Sequence, residues 1–332
     1  MMQPAAPHGL PPGRLVALVV THNRQDHLRL TLTRLLAEPV DAVLVVDNAS
    51  TDGTAALLRS IPDPRLHVLP LAQNSGGAGG FEAGLREVQR RFDPDWCVLM
   101  DDDARPEPGT LRRFLTQADS LAKAGFQAVA AGVFYPDGLL CEMNRPWRNP
   151  FWHLADFGRT LFGGRAGFHV KDTDYDATEP MAIDGTSFVG FFLSREGLRR
   201  GGFPDGSLFI YADDVIYTLN FVKRGGRIAF APWLRFEHDC TTYIRGARRM
   251  HSPIWKVYYA YRNALLAYRR AAGPVFFLGV LAIVALKWRL KAREAGADRA
   301  AYLRMYRLAI SDALRNNLSR SLAQVQAAAK DR

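Results

Sequence analysis

The sequence predicts an α/β fold, a Rossmann-like and mostly parallel sheet with helices on both faces, followed by a helical C-terminal extension. Three observations carry this expectation. Over residues 14–135, Val/Leu-rich runs of strand length alternate with longer segments whose apolar residues recur at helical spacing. The apolar runs are near-continuous, as in strands covered on both faces. Several of them stop abruptly in polar or acidic clusters, and in such sheets ligands gather at the carboxyl ends of strands. A chain of 332 residues, 48% apolar and 11% aromatic, suffices for one large α/β domain with an appendage and excludes wholesale disorder.

In order, RLVALVV (14–20) reads as a strand and RQDHLRLTLTRLLAE (24–38) as a helix with Leu28, Leu32, Leu35 and Leu36 on one face. AVLVVDN (42–48) is a strand, followed by a short helix near 54–60. RLHVLPLAQN (65–74) is a strand, GFEAGLREVQRRF (80–92) a helix and WCVLM (96–100) a strand. PGTLRRFLTQADSLAKAG (108–125) is a helix and QAVAAGVF (127–134) a strand. Residues 136–182 lose the rhythm and read as long loops and irregular strands. Pattern returns in GTSFVGFFLS, REGLRRGG, DDVIYTLNFVKRGG and RIAFAPWLRFEH, and the chain is helical from about Ser252 onward.

Residues 1–13, rich in Pro and Gly and without an apolar h-region, are expected to form a flexible lead rather than a signal peptide. Residues 14–250 form the expected main domain and 251–332 a basic helical extension. Residues 241–332 hold 18 Lys and Arg against 4 Asp and Glu, so an acidic domain precedes a tail suited to an anionic surface, membrane or nucleic acid. The apolar run 273–286 is short for a spanning helix, which needs ~20 residues, and fits an interfacial or a buried core helix. Cys97, Cys141 and Cys240 form no C-x-x-C pair, which argues against a disulfide framework or a structural zinc site and suits a reducing cytosol.

Four strand ends carry candidate chemistry. The first offers Thr21, His22, Asn23 and Arg24; the second ends at Asp47, either a carboxylate for a base or ribose or an ordinary turn residue. The third, from Gln73 to Phe81, includes Asn74, Gly76 and Gly77: a tight helix entry, or backbone left open for close approach of a phosphate-bearing ligand. The fourth is the triplet Asp101, Asp102 and Asp103. Carboxylates at i and i+2 of a strand end face the same side, so Asp101 and Asp103 suit a shared hard divalent cation while Asp102 faces away; the alternative is a solvated acidic corner. Further on, Asp213 and Asp214 open a helix, where acids also serve as caps. His238 ends a strand, as a ligand or as a structural histidine.

The ordered set VVTHNR, VVDNAST, NSGGAGGF, DDDA, YADD and FEHD resembles the inverting nucleotide-sugar glycosyltransferases of the GT-A fold, family 2. Among these it most resembles bacterial rhamnosyl- and galactofuranosyltransferases of cell-wall and surface-polysaccharide assembly, over roughly residues 14–270. YYAYRNALL, Tyr258 to Leu266, is similar to a Tyr/Arg-Asn segment of that group. The resemblance implies Mn²⁺ or Mg²⁺ held by Asp101, Asp103 and His238, with Asp214 as catalytic base. It places Asp47 at the nucleotide, in a donor site grouping Thr21, Asn74, Gly76, Gly77 and Asp102. Many relatives carry another acid two residues beyond the base, where this chain has Ile216.

The implied donor is a UDP- or dTDP-sugar, carrying galactofuranose, rhamnose or a related hexose. The implied acceptor is a polyprenyl-diphosphate-linked or polysaccharide glycan, met peripherally at the cytoplasmic face of the membrane, with no nucleic acid involved. Metal neutralises the leaving diphosphate and a carboxylate takes the acceptor proton, giving one in-line displacement with inversion. Two other readings compete: an aspartate-dependent phosphohydrolase, which usually places Asp-x-Asp on the first strand rather than the fourth, and a non-enzymatic membrane-binding protein built on the tail.

Overall fold

The computed structural model describes residues 14–240 and 252–330; the expected lead at 1–13 and the boundary at 250/251 lie outside the described residues. Strands β1 (Leu15–Thr21), β2 (Ala42–Asp47), β3 (Leu66–Pro70) and β4 (Trp96–Asp101) form a parallel block in the order β3-β2-β1-β4. Every residue of β1 and β2 is buried, which is why both read as unbroken apolar runs. Alternate residues of β1 feed opposite faces. Leu15, Ala17 and Val19 meet α1 (Gln25–Leu36) and α2 (Thr54–Ser60), while Val16, Leu18 and Val20 meet α3 (Gly76–Arg91).

Beyond β4 the sheet becomes mixed. The short β5 (Ala104–Pro106) leads through α4 (Thr110–Lys123) to β6 (Ala128–Phe134). The long segment that follows holds one α-helix, α5 (Leu154–Gly163), and the three-residue β7 (Met181–Ile183). Next come β8 (Phe191–Ser194), α6 (Arg195–Gly201), α7 (Asp213–Lys223) and β9 (Ile228–His238). β8 lies antiparallel between β4 and β6, β9 runs parallel to β6, and β5 and β7 pair antiparallel with β9. The parallel character expected from the sequence holds for the first four strands and for the β6–β9 pair, and the short β5, β7 and β8 run against it. A four-residue strand entered from an irregular segment carries no sequence mark of its direction.

Two differences from the expected elements have local causes. Helix α3 starts at Gly76, ahead of the expected start at Gly80; of its glycines, which disfavour helix, Gly80 and Gly84 let it settle on the sheet. A Cβ on Gly80 would lie 2.4 Å from Val20 Cγ1, and one on Gly84 2.5 Å from Leu18 Cδ1. Helix α5 forms where loops and irregular strands are expected, and its apolar side is bare, with Leu154 and Phe162 92% and 95% exposed.

The C-terminal region is α8 (Lys256–Lys291), α9 (Arg299–Arg315) and α10 (Leu322–Lys330). Helix α8 kinks at Gly273, φ 66°, just before Pro274. Before the kink Tyr258, Tyr259, Arg262, Asn263 and Leu266 are buried. After it, Phe277 packs with Ala313 of α9, while Val275, Leu278 and Ile283 are 80%, 70% and 70% exposed. The buried-core alternative for 273–286 is thus not what forms; one face is covered and the other is bare. The stretch Lys256–Arg315 contains an 18-residue window of mean hydropathy 1.9, long and apolar enough by that measure to cross a membrane. Past the kink, however, the apolar part covers 274–286, about 20 Å of helix against a ~30 Å hydrocarbon core.

The glycine packing is testable by denaturation. Gly80→Ala improves helix propensity yet collides with a stiff β-branched neighbour, so it is expected to cost about 1–3 kcal/mol. Gly77→Ala, whose Cβ meets nothing within 4 Å, is expected to cause no loss. Equal midpoints for the two variants would refute this account of α3.

Candidate active site

The order β3-β2-β1-β4 places the topological switch point between β1 and β4, and the aspartate triplet stands at its mouth. The chain turns sharply after Asp101 and pairs again at Ala104, opposite His238 of β9. That turn sends alternate carboxylates in opposite directions. Asp101, Asp103 and His238 converge, with one ligand atom from each inside a 4.8 Å span. Asp102 turns the other way, accepting from Thr21 Oγ1 at 2.8 Å and Arg24 Nη1 at 3.4 Å.

The charges here balance only partly. Asp103 is buried, which works against ionisation, but His238 at 3.2 Å and the Arg24 guanidinium hold its carboxyl at about 2. Among the described residues Asp101 has no such cation of its own. Burial, then the charge of Asp103, push it up to about 7 despite the attraction of His238. Burial raises Asp102 to about 6 against the pull of Arg24. Burial disfavours the His238 cation, yet its bond to Asp103 and the neighbouring acids raise it to about 10.

A hard divalent cation fits this donor set. Two carboxylates and an imidazole suit Mn²⁺ or Mg²⁺, and the raised Asp101 marks a negative cluster that its protein cations do not fully neutralise. Asn144, from the segment read as irregular, accepts from His238 Nδ1 at 2.7 Å while its own amide donates to Ser187 Oγ at 2.8 Å. For the neutral imidazole that a metal would need, this pairing keeps the proton on Nδ1 and leaves the Nε2 lone pair toward the carboxylates. Sequence reasoning missed Asn144, and no local signal marks it.

The remaining expected donor-site residues are placed as follows. Thr21 and Asp102 bond to each other and are only 1% and 4% exposed, forming a support beneath the strand ends. Asp47 receives the Ser50 N–H at 2.9 Å, so the turn role is present. Asn74 accepts from Gly76 N at 2.8 Å, and a Cβ on Gly76, φ 71°, would strike the Phe209 carbonyl. Gly76 therefore has a packing reason to be glycine, whereas Gly77 faces open space. Asn48, also missed, is buried and ties β2 to this loop, accepting from Ser75 N and donating to Gly76 O.

The acidic pair is delivered by an unusual backbone. Phe209, Tyr211 and Ala212 have φ of 68°, 70° and 58°, left-handed values that non-glycine residues adopt at a cost of about 1–3 kcal/mol each. Asn263 Nδ2 donates to the Leu208, Ile210 and Tyr211 carbonyls within 3.0 Å, and Arg262 Nη2 donates to Leu208 O at 3.0 Å. Both clamp residues are fully buried, so the Tyr/Arg-Asn segment of α8 holds the start of α7. Asp213, buried and repelled by Asp214, is raised well above the carboxylate range. Asp214, partly exposed, is raised by burial to about 6, with backbone N–H groups opposing. Near neutrality Asp214 is the ionised member. Ile216 is buried among Ala78, Leu208 and Leu266 and forms a packing joint between α3, α7 and α8. Asp184, a further carboxylate between β7 and β8, is engaged by Asn149 N and His153 Nε2, both at 2.7 Å.

Residues 16–165 match the family described as Glycosyl transferase family 2. The chain is 33% identical over 105 residues to the succinoglycan biosynthesis protein ExoO of Rhizobium meliloti, covering 31% of this chain and 29% of that protein. It is 41% identical over 106 residues to undecaprenyl-phosphate mannosyltransferase of Micrococcus luteus, covering 31% and 43%. It thus spans less than half the length of these two curated relatives. Against galactofuranosyltransferase GlfT1 of Mycobacterium tuberculosis it is 27% identical over 232 residues, covering 68% and 69%. Among solved structures, GalNAc-T7 with UDP, GalNAc and Mn²⁺ aligns with TM-score 0.55 at 12% identity, covering 79% of this chain and 48% of that one. S. aureus TarS residues 1–349 align at 0.53 and 14% identity, covering 96% and 90%. The fold is accordingly GT-A.

The carboxylate cluster makes stability fall with pH. Asp101, Asp102 and Asp214 lie above their ordinary 3.8, so their contribution is full below that value and lost as pH rises through about 6–7. The raised His238 gives way later, toward about 10, and the lowered Asp103 loses its contribution only toward about 2. Chelator-treated protein is therefore expected to melt several degrees lower at pH 8 than at pH 5, with Mn²⁺ raising the midpoint more at pH 8. A flat profile, or an equal Mn²⁺ effect at both values, would contradict the assignment.

Proposed function

We propose, for a chain whose residues 16–165 form a glycosyl transferase family 2 domain, that the protein is a metal-dependent inverting glycosyltransferase. It transfers galactofuranose, rhamnose or a related hexose from a UDP- or dTDP-sugar to a polyprenyl-diphosphate-linked or polysaccharide acceptor. The observation that carries the reading is the convergence of Asp101, Asp103 and His238 at the sheet's switch point, with Asp214 at the adjoining start of α7. The 232-residue similarity to a galactofuranosyltransferase supports that sugar among the candidates.

Each residue has a task in this reaction. Asp101, Asp103 and His238 hold Mn²⁺ or Mg²⁺, which when bound neutralises charge on the departing diphosphate. Arg24 and Thr21 keep Asp102 and Asp103 oriented. Asp47, Asn74, Gly76 and Gly77 shape the nucleotide side of the crevice. Asp214, ionised near neutrality, takes the acceptor hydroxyl proton as the hydroxyl attacks. Burial and the neighbouring Asp214 raise the proton affinity of Asp213, which favours its neutral form beside the base.

The bare face of α8 supports peripheral docking at the cytoplasmic membrane surface. Val275, Leu278, Ile283 and Leu286 are exposed along it, and Lys287 and Arg289 follow. Helix α5 and the residues before it join this face: the Phe276 ring lies tilted against Phe151 and Phe157, centroids 5.4 Å apart in each pair, and Asn149 donates to Ala271 O at 3.0 Å. Apolar side chains beside basic ones match an anionic bilayer interface.

Two experiments test the reading. With a panel of nucleotide sugars and Mn²⁺, Asp214→Asn is expected to retain donor binding and lose ~10²–10⁴-fold in turnover, with Asp213→Asn much milder. The reverse ranking would move the base to Asp213, and normal turnover in both would leave Asp184 as the next candidate. Separately, Leu278→Asp with Ile283→Asp is expected to weaken cosedimentation with anionic vesicles while leaving donor hydrolysis unchanged. Undiminished vesicle binding would refute docking through α8.

A further inference from the structure

Cys141 and Cys240 lie 99 positions apart in sequence, yet β6, β9 and the segment after β6 bring them to one place. Both thiols are buried, and Cys141 is fully so. Their two Sγ atoms and a ring nitrogen of His238 all fall within 4.8 Å of one another. Cys141 Sγ is 4.0 Å from His238 Nδ1. A tetrahedral site with two thiolates and one imidazole needs ligand atoms about 3.5–3.8 Å apart, so a small contraction completes it. The wide spacing that argued against zinc in the sequence is bridged by the fold.

The two nitrogens of His238 face different chemistry. Nε2 addresses Asp103 Oδ1 at 3.2 Å, and Nδ1 addresses Asn144 Oδ1 at 2.7 Å with Cys141 beyond. We propose that Cys141, Cys240 and His238 Nδ1 form a second metal site, for a thiophilic divalent cation such as Zn²⁺, which shares its imidazole with the carboxylate site. Three protein ligands leave the fourth position to water. Loading releases the two thiol protons and the Nδ1 proton, so the dication meets two thiolates and a neutral imidazole.

Sharing makes the two sites antagonistic. Ligation through Nδ1 breaks the bond to Asn144 and leaves the proton on Nε2, where it donates to Asp103. Ligation through Nε2 needs the proton on Nδ1, where it donates to Asn144. A neutral imidazole holds one ring proton and serves one metal at a time. Zn²⁺ at the thiols therefore weakens the hard cation at Asp101 and Asp103, and the reverse follows by linkage. This antagonism rests on the carboxylate site proposed above; the thiol site itself does not.

Cobalt reads the thiol site without reference to activity. Reduced, chelator-treated full-length protein titrated with Co²⁺ is expected to develop a near-ultraviolet thiolate-to-cobalt band that saturates near one equivalent. The band should vanish in C141S and C240S, persist in D101N and be displaced by Zn²⁺. No band in the unmodified protein, or one that survives in the double serine variant, overturns the proposal. Should a serine variant fail to fold, alkylation of the unmodified protein decides: Zn²⁺ must protect Cys141 and Cys240 but leave Cys97 unchanged in the mass spectrum, and equal labelling overturns the site. Mn²⁺ affinity by electron paramagnetic resonance should drop about 10–100-fold with Zn²⁺ present, and not in C141S. An unchanged Mn²⁺ affinity overturns the shared imidazole, while a cobalt band with no Mn²⁺ binding at all would instead locate the failure in the carboxylate site.

Discussion

Carboxylate repulsion at the end of β4 is the constraint around which the rest of the site is arranged. Like charges ~4 Å apart cost about 4 kcal/mol each at the effective dielectric of a partly buried site. Asp101, Asp102 and Asp103 are consecutive, and the electrostatic influence of Asp214 reaches Asp101. The protein meets this cost in three ways. Arg24 and His238 neutralise Asp103, Thr21 and Arg24 support Asp102, and Asp101 is left with a raised proton affinity that a cation would relieve. A core alone would not keep such a cluster together. The parallel block supplies the rigidity: β1 and β4 are locked in register from Leu15 to Val20, so Thr21 and the triplet have no freedom to separate.

The second support comes from the other end of the chain. The left-handed residues before α7 would relax if their carbonyls were unpaired, and those carbonyls are held by Arg262 and Asn263 of α8. The first half of α8 is thus structurally part of the body that carries the acidic pair. The Gly273 kink then separates this half from one with a different surface, where Val275 and Leu278 are bare. Asn149 couples the kink to the segment carrying Asp184 through its bonds to Ala271 and Asp184. The same helix that clamps the acidic pair also carries the apolar face, so a surface holding that face fixes the orientation of the carboxylate cleft.

His238 occupies the joint between two kinds of chemistry. On one side are oxygen donors that suit hard cations, and on the other two buried thiols that suit soft ones. Asn144 decides between them in the metal-free protein by accepting the Nδ1 proton. Its amide is itself set by Ser187, so the choice depends on a residue far from either metal ligand in sequence.

What the sequence determined by itself was whatever local pattern encodes. Strands β1, β2 and β4 were legible because burial on both faces demands continuous apolar residues, and helices α1 and α4 because one buried stripe imposes a 3.6-residue period. Asp101 and Asp103 were expected as a same-side pair from strand alternation, and the structure brings them together through the turn that follows β4. Other features were decided only by tertiary structure, because they depend on what approaches from a distance. The antiparallel insertion of β8 follows from its pairing with β4 and β6. Gly76 and Gly80 are required by Phe209 and Val20, and Asn48 and Asn144 act through partners in other elements. Helix α5 carries its apolar residues on one side, yet that side faces outward, so its packing could not be read from the pattern. Cys141 and Cys240 read as unrelated residues because their proximity arises from the pairing of β6 with β9, which no local spacing records.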